Sequence, residues 1–372
     1  MTEPDDLLPE GLEDRLPDEA RRITHAMRAA LGVLDAHGYD RVLPPLIEFE
    51  KSLAGRMAKG PDEAQPRRMF RFVDPASLRT LALRSDITPQ IGRIAATGMA
   101  NAPRPLRLAY SGDTAVIRAD QLDPARGRVQ LGAELIGADT VEAAAEVVTL
   151  AIEAVAAAGV TGISVDFTLP DLVDTLADNA MPLPEEARKA VRRELDTKDA
   201  GGLKDAGGEA YLPLLFATGP FADAVEKLRA IDAGGALATR IAGLEQVAAR
   251  IGDAARITLD PTERHGFEYQ SWFGFTLYAE NVRGAAGRGG TYCIAGSEEP
   301  ATGFSLFLDT IASAVPDPER ADTLYLPTGH DREAARRLRA IGWRTVAQIG
   351  EGEDPQALGC THRLDGKDTV AL

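Results

Sequence analysis

The sequence predicts an α+β fold built around a large, mostly antiparallel sheet. Two observations predict it. Segments with strand patterning come in neighbouring pairs joined by turn signals, at 69–84, 106–137 and 267–296. Helical segments separate those pairs, without the regular strand–helix alternation of a parallel sheet.

After the turn-rich LLPEGLEDRL, residues Ile23, Met27, Ala30, Leu31 and Leu34 fall on one 3.6-period face, and Gly38 supplies the stop. Val42 and Leu43 predict a short strand, ended by Pro44-Pro45, which cannot donate to a ladder. MFRFVDPASLRTLALR (69–84) predicts a hairpin turning at Asp74-Pro75. Thr88 and Pro89 fit the N-cap and first position of a helix running through Ile94 to Gly98. LRLAYSGDTAVIRA and VQLGAELIG form a second hairpin over 106–137. Asp139 with Glu142 resembles a capping box for an Ala-rich helix at 140–158, stopped by Gly159. ISVDFTL (163–169) predicts a strand. Residues 170–255 read as an inserted helical subdomain with a Gly-rich break, DAGGLKDAGG. Strand patterning resumes at 256–260, a hairpin follows over 267–280 and 284–296, and a helix is expected at 303–314. LYLP, a helix at 331–341, RTVAQIG, CTHRL and DTVAL then predict a small α/β unit. The expected domains are therefore 1–317 and 318–372.

A chain of 372 residues, 44% hydrophobic, can bury a sizeable core without disulfides. Its formal net charge of −16 argues against a nucleic-acid partner, since phosphate binding needs clustered Lys and Arg. The short runs Arg67-Arg68 and Arg192-Arg193 read as solvated helix faces. Only Cys293 and Cys360 are present, which argues against a disulfide framework and a structural zinc site, and for a reducing compartment. No stretch approaches the ~18 apolar residues of a membrane span. The acidic MTEPDDLLPEG lacks signal-peptide patterning, so the cytoplasm is expected.

General chemical motifs are missing. There is no G-x-x-x-x-G-K-[ST] loop, no strand–G-x-G-x-x-G–helix, no H-E-x-x-H and no G-x-S-x-G. GAAGRGG sits between two strands and reads as a hairpin turn rather than a phosphate cradle. The histidines His25, His37, His265, His330 and His362 show no metal-ligand spacing. Asp86 and Glu134 would make a carboxylate pair, yet by themselves each reads equally as a pocket or capping residue.

Several segments, in order from about residue 7 to 314, resemble histidyl-tRNA synthetase, a class II aminoacyl-tRNA synthetase. RVLPPLIEFE resembles the strand and proline of motif 1. MFRFVDPASLRTLALRSDIT resembles the segment that supplies an acid and a threonine to the amino-acid pocket. LRLAYSGDTAVIRADQ with GRVQLGAELIG resembles motif 2. HGFEYQSWFGFTLYAE and GGTYCIAG resemble the histidine-specific strands, and ATGFSLFLDTI resembles motif 3. The resemblance implies a class II sheet flanked by helices. It also implies a ligand pocket of Asp86, Thr88, Gln130, Glu134, Tyr269 and Tyr292, with Asp86 and Thr88 on an ammonium, Gln130 bridging to ammonium or carboxylate, Glu134 on an imidazole N–H and the tyrosines as walls. Each has a plainer reading: Asp86 and Thr88 as helix caps, Gln130 and Glu134 as mutually satisfied neighbours on one strand face, the tyrosines as sheet core.

The departures bear on catalysis. Adenylation develops negative charge at the ATP α-phosphate and needs fixed cations there. The motif 2 arginine position falls on Val116 and the motif 3 arginine on Thr310. Arg264 or His265 stands at the histidine-specific arginine, depending on a one-residue shift. Arg118 and Arg264 are the candidate anion contacts that would substitute. Gln270 replaces a family tyrosine, and Gly-Gly-Arg-Tyr-Asp becomes Gly289-Gly290-Thr291-Tyr292-Cys293. The stretch 318–372 is shorter than an anticodon-binding domain. A chain with these departures resembles the regulatory-subunit family of ATP phosphoribosyltransferase. That resemblance implies a non-catalytic subunit that partners the short-form catalytic chain in the first step of histidine biosynthesis. It also implies self-dimerisation within a hetero-oligomer, feedback inhibition by histidine, and no cofactor, metal, nucleic acid or membrane. The alternative is an amino-acid-activating ligase that uses Arg118 or Arg264.

Overall fold

The computed structural model describes residues 7–54, 69–118, 124–232, 234–264, 270–318 and 321–372. The chain forms two compact units, Met1–Pro316 and Asp317–Leu372.

The first unit opens with α1 (Pro17–Ala36), β1 (Asp40–Arg41), β2 (Ile47–Phe49), α2 (Glu50–Ala54), β3 (Arg71–Val73), β4 (Thr80–Leu83) and α3 (Thr88–Ala96). The long hairpin β5 (Leu106–Ala115) and β6 (Gly127–Ile136) follows, then α4 (Val141–Ala157) and β7 (Ser164–Thr168). Helices α5 (Leu172–Asn179), α6 (Glu185–Asp196), α7 (Ala200–Asp205), α8 (Phe221–Ile231) and α9 (Ala238–Ile251) come next, with β8 (Gly219–Pro220) among them. The unit closes with β9 (Arg256–Leu259), β10 (Gln270–Tyr278), β11 (Gly287–Ile294), β12 (Glu299–Phe307) and α10 (Leu308–Ile311).

Nine strands make one sheet in the order β1-β5-β6-β12-β11-β10-β7-β9-β8. It is antiparallel except at β1–β5 and β7–β9. The fold is thus α+β, as the paired segments predict. One face is covered by α1 and α4. Helix α4 is apolar nearly all round, with Ala144, Val147, Val148, Ala151 and Val155 buried, as a core helix must be. Phe167, Phe273 and Phe275 continue this core in edge-on and tilted contacts. On the other face α3 packs Ile87, Ile91 and Ala95 onto Leu108, Tyr110, Ile136 and Tyr292. Strands β2, β4 and β3 form a separate small sheet. Among the described residues no helix is long and apolar enough to cross a membrane.

Four sequence expectations are corrected. The strand expected at Val42-Leu43 lies two residues earlier, at Asp40–Arg41; Val42 still donates to the Ala109 carbonyl, but Leu43 is exposed. The helix expected at 303–314 is strand to Phe307 and helix only over Leu308–Ile311. Strand β12 lies between β6 and β11 and is buried on both faces, so its apolar run carries no alternation to tell it from a buried helix. Thr88 is not the N-cap of α3: Ile87 is, and the Asp86 carboxylate accepts the Thr88 N–H at 3.1 Å. The cap of α4 is Thr140, whose hydroxyl accepts from Ala143, and not Asp139. The backbone oxygen of Asp139 instead accepts the Trp272 indole N–H at 2.7 Å.

The second unit holds β13 (Thr323–Leu326), α11 (Arg332–Ala340), β14 (Arg344–Ala347), β15 (His362–Asp365) and β16 (Asp368–Ala371), with sheet order β14-β13-β15-β16. Leu324, Leu326, Ala334, Ala335 and Leu364 form its core. Asp331 caps α11, accepting from Glu333 and Ala334.

Candidate functional site

The face of the large sheet that carries α3 holds a continuous polar network. Gln130 and Glu134 lie four residues apart on β6 and so point to the same side. Both are buried, at 3% and 1% exposure. The Gln130 amide oxygen accepts the Ile87 N–H at 3.0 Å. Its nitrogen donates to Asp86 Oδ1 and to Ser305 Oγ, both at 2.7 Å. Ser305 Oγ lies 3.0 Å from the Tyr110 hydroxyl, which donates to Glu134 Oε1 at 3.1 Å. Tyr292 donates to the other carboxylate oxygen at 2.7 Å. Thr88 Oγ1 meets the same Tyr110 hydroxyl at 3.1 Å. Asp86, Thr88, Gln130, Glu134 and Tyr292 are therefore brought together, joined by Tyr110 and Ser305.

Burial is the main reason that the Glu134 carboxyl is pushed up to about 8; the Tyr292 bond opposes the shift and the nearby Asp86 charge adds to it. The side chain thus holds a proton at neutral pH in this state, and an incoming cation would favour its release. Burial and the two acids also raise the Tyr110 hydroxyl well above its ordinary value.

Beside this network the sheet carries a row of glycines. Gly274 on β10 pairs with Gly290 on β11, Gly290 with Gly303 on β12, and Gly303 with Glu134 on β6. Three adjacent strands therefore lack a side chain along one rung, which makes a trench that ends at the carboxyl of Glu134. A Cβ at Gly303 would collide with that carboxyl. At Gly274 and Gly290 a Cβ would meet the Gln270 amide at 2.6 and 2.8 Å. Gln270 thus lies over two glycines and Glu134 over the third. A bulge between Gln270 and Gly274 re-aims the Gln270 side chain, whose nitrogen donates to the Gly289 carbonyl at 2.9 Å. The Thr291 hydroxyl ties the bulge, accepting the Phe273 N–H at 3.1 Å. With Gln270 and Glu134 in place the remaining cavity is about 20 Å³, lined also by Thr88, Arg288, Tyr292 and Ser305. That is space for about one water.

Gln270 also borders a much larger cleft of about 620 Å³, within the ~300–1,000 Å³ range of ligand clefts. Asp171, Asp174, Arg192, Arg240 and Arg264 line it. Arg240 grips Asp171 Oδ2 through two nitrogens at 3.0 and 2.6 Å, and Arg192 pairs with Asp174. Asp171 Oδ1 is buried without a hydrogen-bond partner among the described residues, and burial raises that carboxyl despite Arg240.

Curated relatives agree closely in length and sequence. The ATP phosphoribosyltransferase regulatory subunit of Rhodospirillum centenum is 42% identical, over 97% of this chain and 95% of its own. That of Paramagnetospirillum magneticum is 40% identical over 98% and 97%. The chain belongs to the ATP phosphoribosyltransferase regulatory subunit family. The family model for histidyl-tRNA synthetase matches residues 11–311. A crystal structure titled as an ATP phosphoribosyltransferase regulatory subunit/histidyl-tRNA synthetase from Bacillus halodurans superposes with TM-score 0.80 at 25% identity, over 96% of this chain and 97% of that one. Histidyl-tRNA synthetase from Nostoc superposes with TM-score 0.76 at 15% identity, over 96% and 90%, which speaks for the class II fold alone.

In this regulatory-subunit chain two of the three positions where the synthetase resemblance expects arginine, those of motifs 2 and 3, are uncharged. Val116 sits at the loop end of the β5–β6 hairpin, its N–H donating to the Arg126 carbonyl at 2.9 Å. Thr310 is half-buried in α10. Neighbouring Asp309 accepts the Val129 N–H at 3.0 Å. Arg118 is exposed beyond β5, and Arg264 lines the large cleft, so the two candidate anion contacts do not converge. Tyr269 and His265 lie outside the described residues. Sequence reasoning missed Tyr110, Ser305, Arg288 and the glycine row. The Gly-Gly pair before Tyr292 was the only visible hint, and only strand register brings the glycines together.

Proposed function

We propose that the chain is a non-catalytic subunit that activates a short-form ATP phosphoribosyltransferase and carries its feedback inhibition by histidine. The names of the close relatives support the partnership. One observation carries the reading of the site: the network of Asp86, Gln130 and Glu134 stands complete beside uncharged Val116 and Thr310. A buried carboxyl that gives up its proton to a cationic partner suits an imidazole or ammonium group. Adenylation would need cations where these two residues stand. Histidine regulates by linkage, binding one quaternary state more tightly than the other. We read the chain as cytoplasmic, and as two domains at 1–317 and 318–372.

Self-association fits the small β2-β4-β3 sheet, which leaves Ile47, Phe49, Phe72 and Val73 exposed. Light scattering on the purified chain is expected to give a dimer, and Phe72→Asp to weaken it.

The deciding assay mixes the chain with the short-form transferase of the same source and follows phosphoribosyl-ATP formation. Activity is expected to need the chain and to fall with histidine. Histidine-dependent ATP–pyrophosphate exchange by the chain alone would sink the proposal and favour a ligase.

A further inference from the structure

Resting on the reading of the trench as a histidine site, we infer that Arg288 holds the carboxylate of the bound amino acid and sets its direction. Arg288 lies on β11 two residues from Gly290, and so on the same sheet face as the glycine row. It lines the small cavity together with Glu134. Its pairing partners across the sheet are Thr276 and Ser305, while Glu134 pairs with Gly303. Glu134 and Arg288 therefore stand two strands and one rung apart, roughly 12 Å between Cα atoms by ordinary strand spacing. Two long side chains reaching inward reduce that gap to the length of one α-amino acid. The glycine row thus ends at the acid of Glu134, and the guanidinium of Arg288 stands beside it, one rung off on the middle strand.

The present occupant of that space is the Gln270 amide, which bridges two of the glycines. A ligand must displace it, and the large cleft on the other side of Gln270 offers the room to swing into. A guanidinium takes a full carboxylate through two charge-assisted hydrogen bonds, in preference to an alcohol or amide oxygen. The direction follows: imidazole or ammonium toward Glu134 and Asp86, carboxylate toward Arg288.

The test is calorimetric titration of the full chain, alone and mixed with the short-form transferase, with L-histidine and with histamine, which lacks the carboxylate. Wild type is expected to bind histidine at least about tenfold more tightly. Arg288→Gln is expected to remove that preference by weakening histidine while leaving histamine within about twofold, and Arg288→Lys to restore part of it. Equal binding of the two probes by wild type overturns the assignment without touching the histidine reading, and needs no variant to fold. An equal loss of both probes in Arg288→Gln also overturns it. Binding of neither probe by wild type, in either setting, overturns the assignment and the histidine reading together.

Discussion

Two halves of one sheet face have diverged in opposite directions. On the half toward β6, β11 and β12, buried Gln130 and Glu134 keep every polar atom engaged, through Tyr110, Tyr292, Ser305 and Asp86. On the half toward the loop end of the β5–β6 hairpin and α10 stand Val116 and Thr310, the uncharged residues at which the synthetase resemblance expects arginine. The first half is costly to disturb, because an unsatisfied buried group forfeits its solvation. The second is cheap, because those side chains are only half-buried. The residues that a pocket would need and those that adenylation would need are thus separately replaceable.

The largest effect should come from filling the trench. Gly303→Ala puts a methyl group into the Glu134 carboxyl and close to the Ala133 carbonyl. Urea unfolding is expected to show a loss of roughly 2–3 kcal/mol from overpacking, with histidine binding abolished. An unchanged midpoint would mean that the recognition half is less tightly built than described.

Glu134→Gln keeps the shape and removes the ionisation. In wild type the folded-state carboxyl is raised to about 8 from the usual 4.5. Between those values the folded chain retains a proton that the unfolded chain has released. That contribution is full below about pH 4.5 and is lost as pH climbs through about 8. Wild type should therefore lose stability relative to Glu134→Gln between about pH 5 and pH 8.5, on the order of 5 kcal/mol. Parallel pH profiles for the two proteins would contradict the raised carboxyl.

Tyr292→Phe removes one donor to the same carboxyl and is expected to cost about 1–2 kcal/mol, and to push the carboxyl higher still. Double-mutant comparison with Glu134→Gln should show the two losses to be non-additive. The smallest effect belongs to the other half. Val116→Arg should change stability by no more than about 0.5 kcal/mol and should not create pyrophosphate exchange. Exchange appearing in that variant would show that one missing charge was all that separated the two halves from a working ligase.

What the sequence discloses about this face depends on distance along the chain. Gln130 and Glu134 sit on one strand, so their common side is legible from spacing alone. The β5–β6 and β10–β11 pairs are legible because each is local and bounded by turn residues. Strand β12 is not: buried on both faces, Gly303 to Phe307 reads as well for a core helix, and its place between β6 and β11 is a long-range fact. Tyr110 and Ser305 bridge the network for the same reason, being nearly two hundred positions apart. The helix caps went astray by a single residue, at Thr88 and Asp139, where neighbouring polar side chains compete for the same orphan N–H groups.

The row of glycines has a mechanical side. Cross-strand side-chain pairs are what stiffen a sheet, and glycine within a strand weakens it. Along Gly274, Gly290 and Gly303 that bracing is missing on three neighbouring strands. The nine-stranded plate is accordingly least braced along this rung, which is the floor of the trench. A small molecule lying there would brace the plate as a batten stiffens a sail, and amide exchange along β10, β11 and β12 would slow together when it arrives.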